Sequence, residues 1–121
     1  MLTATLAVGA IRTLWHVPLL AYGTIPWFDF AFGMVALQIL LTWLYYGAAG
    51  SVLIVMIGHL FSNLWMATFR PLFDPAHQGR YWLIFIVLES LTALVLLAVT
   101  RGRLGYREPD PMTASGHVVR A

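Results

Sequence analysis

In "SVLIVMIGHLFSNLWM", Ser51 to Met66, an apolar run is interrupted by His59, Ser62 and Asn63. Asn63 follows His59 by four residues, so on a helix of 3.6 residues per turn the two side chains share one face. An imidazole and a carboxamide aimed into one small, dry cavity are the kind of donors that stabilise an oxyanion. The same pair can also do no more than tie helices together, at roughly 0.6 kcal/mol per hydrogen bond. Ionisable groups inside membrane helices are expensive, which keeps the functional reading open beside the structural one.

A second histidine, His16, lies in "IRTLWHVPLL". Pro18 has no N–H, so the carbonyl of Leu14 loses its helical partner. Val17, preceding proline, is pushed away from helical geometry. His16 therefore falls at a kink or a helix end, a place where small cavities open within membranes. There it can orient water, bind a metal, or bond to a freed carbonyl. Arg12, one turn earlier, is expected to snorkel to an interface. Glu89 has no basic partner at helical spacing: it can be protonated, bonded to another helix, paired with Arg12, or catalytic. Ser62 and Gln38 read as inter-helix hydrogen bonders. His77 in a loop and His117 near the C-terminus are assigned to no site.

The elements that must position these groups are apolar helices. Of 121 residues, 60% are hydrophobic and 10% charged, against roughly half and a quarter in soluble domains. The expected fold is all-α, a multi-pass membrane bundle of about four transmembrane helices over residues 1–100. Its segments run at about 2–22, 30–46, 50–69 and 81–100, each near the ~20 residues a crossing takes. Residues 101–121 form a polar tail, read as exposed and partly disordered.

"GTIPWFD", "YGAAGS" and "RPLFDPAHQGR" connect the segments. Ser51 is a candidate N-cap, and the two prolines of the last connection discourage helix there. Trp27, Tyr45, Tyr46, Tyr81 and Trp82 suggest an interfacial aromatic belt. Arg101, Arg103 and Arg107 outnumber Arg70 and Arg80, which favours a cytoplasmic tail and, with four crossings, a cytoplasmic N-terminus. With nominal helix starts, His16 lies at about 21 Å depth and His59 at about 12 Å. The two meet only if the first helix is offset.

Several classes are excluded or unsupported. The chain has no cysteine, hence no disulfide or thiolate metal site. Its N-terminus lacks the positive region of a cleavable signal peptide. A net charge of +2, scattered along the chain, gives no basis for nucleic-acid binding.

"LWHVP" (Leu14 to Pro18), then a full helix, then "GSVLIVMIGHLFSN" (Gly50 to Asn63) resembles the CPBP intramembrane endopeptidases. These are the CAAX prenyl proteases and their bacterial Abi relatives. The resemblance covers about residues 10–70. His16 matches the histidine of the family's Phe-x-x-x-His motif, and His59 and Asn63 match its His-x-x-x-Asn motif. It implies catalytic roles for all three, with His16 holding a water and His59 and Asn63 stabilising the oxyanion. It also implies a peptide or prenylated-protein substrate, within a multi-pass protein of the bacterial cell membrane.

Two departures stand out. Arg12 occupies the phenylalanine position of the second motif, and the Glu-Glu-x-x-x-Arg motif, which supplies the family's general base, is missing. The resemblance then implies the C-terminal part of a longer enzyme, inactive by itself, whose partner is an N-terminal half. Two histidines without a carboxylate make a poor zinc site, since a catalytic zinc normally has three protein ligands, so neither metal nor cofactor is assigned. Two alternatives stay open: a non-catalytic immunity or regulatory subunit, and haem binding through His16 and His59, for which Gly58 offers a small residue near one ligand.

Overall fold

The computed structural model describes residues 2–107, and among them every regular element is helical. The helices are α1 (Leu2–Trp15), α2 (Val17–Ala21), α3 (Met34–Gly47), α4 (Val52–Phe69) and α5 (Gln78–Thr100). A π-helical turn, Asp29–Gly33, runs directly into α3. Three stretches are long and apolar enough to cross a membrane: Asp29–Gly47, Val52–Leu72 and Pro75–Thr100. The first apolar segment is divided. α1 has 14 residues, about 21 Å, and a break at His16 separates it from the five residues of α2.

The sequence explains the boundaries. The break falls at His16, whose φ of −91° and ψ of 0° lie outside the α region. Val17 is itself helical, because α2 restarts with Pro18 in its first turn, where a missing N–H costs nothing. α3 ends where Ala49 and Gly50 both take positive φ, and Gly50 N–H donates to the Tyr45 carbonyl at 2.8 Å. Ser51 then caps α4, its hydroxyl accepting from Ile54 N–H. Between α4 and α5 the prolines allow only short 3₁₀ turns, Arg70–Leu72 and Pro75–His77, the second capped by the Asp74 carboxylate.

α3 is the central helix, with α1, α4 and α5 packed around it. Arg12 meets Met34 and Gly9 meets Gln38, so α1 runs antiparallel to α3. Small residues let the backbones approach. A Cβ on Gly9 would lie 3.2 Å from Gln38 Cγ, and one on Gly58 would lie 2.6 Å from Leu44 Cδ2. Gly58 is thus taken up by the α3–α4 contact. Ala36 and Ile39 of α3, Ala93 of α5 and Leu104 form the buried core, with Leu97 against it. α4 buries no residue fully, and large side chains such as Leu53, Met56, Leu60 and Phe61 point outward. This apolar exterior is compatible with a lipid environment.

Two expectations change. The tail does not leave the bundle at Arg101. Leu104 is fully buried and Tyr106 packs edge-on against Tyr46 at 5.5 Å, while the rest of the tail, His117 included, lies outside the described residues. Tyr81, near the start of α5, is buried, stacked on Phe73, its hydroxyl donating to the Trp65 carbonyl. Gln38 bonds within α3, to Thr42 Oγ1 at 3.3 Å, rather than across helices.

Candidate functional site

The break after α1 fixes His16. Its own N–H turns back to the Thr13 carbonyl at 2.9 Å, leaving the Arg12 carbonyl without its usual partner. The imidazole fills that role: Nδ1 lies 2.7 Å from the Arg12 carbonyl oxygen. A carbonyl only accepts, so Nδ1 carries a proton, and in the neutral imidazole Nε2 then keeps a lone pair. The carbonyl that His16 bonds is Arg12's, and this bond orients the ring without using its second nitrogen.

His16, His59 and Asn63 line one cavity of about 300 Å³ enclosed by α1, the π turn, α3, α4 and α5. Ser62 also lines it, one residue before Asn63 on α4. Arg12 and His59 line both this cavity and a neighbouring cleft, while His16, four residues after Arg12, lines this cavity. His16 and His59 are within electrostatic reach of each other. His59 is half-buried, whereas Asn63 is exposed at the cavity's edge on α4.

Arg12 does not snorkel. Its side chain turns inward and Nη2 donates to the Met34 carbonyl, while Nε and Nη1 are buried without a hydrogen-bond partner. Two carboxylates line the same cavity, Asp29 from the π turn and Glu89 from the middle of α5. Both are within electrostatic reach of Arg12 and of each other, and Asp29 also of His16. Asp29 is 7% exposed. Its carboxylate fills the place a Cβ on Gly33 would take, so the glycine is what lets the π turn carry it there.

Asp29 carried no signal in the sequence beyond its place in a connection. The hint was an acidic residue four positions before a glycine at the mouth of an apolar run. Among the described residues, no three histidine or carboxylate side chains converge closely enough to hold a metal. The groups surround a space instead of a point, and such an arrangement suits a reacting group held between donors and a base.

Two further openings reach this cavity. A cleft of about 470 Å³ between α1, α3 and α4 shares Arg12 and His59 with it and carries Thr5, Gln38, Thr42 and Tyr45. A groove of about 560 Å³ between α3, α4 and α5 is mostly apolar and shares Ser62, Phe85 and Glu89 with it. Both openings are lined mainly by apolar side chains, and the cleft also carries the polar groups of Thr5, Gln38, Thr42 and Tyr45. The chain matches no family model, no curated protein and no solved structure.

Proposed function

We propose that this chain carries part of the site of a CPBP-type intramembrane endopeptidase, CAAX prenyl protease-like, which cleaves peptide bonds in membrane-associated proteins or peptides. The observation that carries the reading is the gathering of His16, His59 and Asn63 around one cavity between apolar helices. His59 and Asn63, one turn apart on α4, donate to the oxyanion formed when water attacks the scissile carbonyl. His16, its Nδ1 proton spent on the Arg12 carbonyl, accepts from that water through Nε2. In this reading the substrate enters by the groove between α3, α4 and α5, and water enters by the cleft that shares Arg12 and His59 with the cavity.

In this reading α1 and α2 together make a bent first crossing, giving a four-span bundle in a bacterial cell membrane with the C-terminus cytoplasmic. The family's Glu-Glu-x-x-x-Arg motif is supplied by a further segment or, if it is not needed, replaced. The test is cleavage of a membrane-anchored CAAX peptide by the purified chain in liposomes, with and without a candidate N-terminal half carrying that motif. Cleavage that depends on His59 and Asn63 supports the reading. Absence of cleavage in both arms, or cleavage that survives His59→Ala, contradicts it.

A further inference from the structure

We infer that Asp29 is the general base of this site, so that the chain holds within itself the carboxylate its proteolytic reading otherwise lacks. The inference rests on the proposed peptidase function.

Two carboxylates line the cavity, and the surroundings separate them. Glu89 stands on α5 and lines both the cavity and the apolar groove, whereas Asp29 lines the cavity and not the groove. Asp29 has His16 within reach as well as Arg12, and His16 is the residue whose free Nε2 can take one hydrogen of a water. A water held between Asp29 and His16 Nε2 has both hydrogens engaged and a lone pair left to attack.

The backbone is also built around Asp29. It opens a π turn, a form that occurs mostly as single turns and frequently at functional sites, and its carboxylate occupies the space left by the missing side chain of Gly33. Arg12, whose Nε and Nη1 are buried and unpartnered, offsets one negative charge in the cavity.

The step balances within these groups. Asp29 takes one proton from water as the water oxygen bonds to the peptide carbonyl carbon, and the carbonyl electrons move onto the oxygen held by His59 and Asn63. Collapse of that tetrahedral species breaks the C–N bond, and protonated Asp29 returns the proton to the leaving nitrogen. One water is consumed, and one carboxyl and one amine are produced.

The experiment is turnover of a single-span peptide carrying a fluorophore–quencher pair by the full chain in liposomes, comparing wild type, Asp29→Asn, Asp29→Glu, Gly33→Ala and Glu89→Gln. Helical circular dichroism and the thermal midpoint report folding. The chain alone is expected to cleave. Asp29→Asn should lower kcat about 10³-fold at little change in KM, within the range for loss of a general base, and Asp29→Glu should restore part of it. Gly33→Ala, which displaces the carboxylate without removing it, should also lower kcat and stands in if Asp29→Asn does not fold.

Full activity in folded Asp29→Asn, or loss confined to Glu89→Gln, overturns the inference and leaves the peptidase reading intact. So does a wild-type chain that cleaves only with a Glu-Glu-x-x-x-Arg half added. No cleavage in any arm overturns the peptidase reading itself, and this inference with it.

Discussion

Asp29 and Gly33 occupy the two ends of one π-helical turn, and the carboxylate of Asp29 fills the space that a side chain on Gly33 would need. Gly33→Ala therefore forces the carboxylate to move. We expect a loss of about 1–2 kcal/mol, in the range for overpacking a buried site. The loss should largely vanish in the background Asp29→Ala, where the colliding oxygen is gone. A double-mutant cycle on denaturation in micelles checks this. Equal losses in both backgrounds would show that the glycine serves another contact, Ile86 being the other neighbour of its missing Cβ.

Arg12 faces inward with two buried nitrogens unpartnered, and the two carboxylates of the cavity lie within its electrostatic reach. Arg12→Ala leaves those carboxylates without a compensating charge. A destabilisation of about 3 kcal/mol is expected, as when one partner is removed from a buried charged set. Combining it with Asp29→Asn and Glu89→Gln should recover at least half of that. The readout is again denaturation in micelles, and an unchanged midpoint for Arg12→Ala would place the guanidinium outside the cavity.

Gly58 sets the distance between α3 and α4. Its nearest obstacle is the flexible tip of Leu44, so Gly58→Ala should cost under about 1 kcal/mol while Gly58→Leu costs about 1–3 kcal/mol. Leu44→Ala should relieve the larger change. Cross-linking between cysteines placed on α3 and α4 would report the widened spacing, and unchanged cross-linking in Gly58→Leu would refute the role.

Leu104 is the fully buried side chain that fastens the end of α5 into the core, and it sits at φ +49°. Leu104→Ala should cost about 2–5 kcal/mol. Leu104→Gly should cost no more than the alanine change, since glycine relieves roughly 1 kcal/mol of left-handed strain. Thermal midpoints of the two variants test the pair, and a glycine variant clearly weaker than the alanine variant would contradict this account.

Much of the scaffold was legible because the signals are local. Apolar runs mark α3, α4 and α5, Ser51 marks a cap, and Pro18 marks the break that frees the Arg12 carbonyl for His16. What was not legible depends on which way a side chain turns. Arg12 has a long stem that can reach an interface or a cavity, and only the packing of α1 on α3 decides between them. Asp29 was hidden because a π turn has no periodic signature, so it read as part of a connection. Leu104 was hidden in a tail whose glycines and arginines suggest exposure, although a lone leucine between glycines can act as an anchor.

We propose that His59 and Asn63 are oxyanion donors in an intramembrane peptidase site. The most direct test is the rate of membrane-peptide cleavage in liposomes by wild type, His59→Ala and Asn63→Ala, each with and without a segment bearing Glu-Glu-x-x-x-Arg. We expect each substitution to lower kcat by about 10²-fold or more, the usual cost of one oxyanion donor, with the variants still folded. Cleavage by His59→Ala at the wild-type rate would contradict the account.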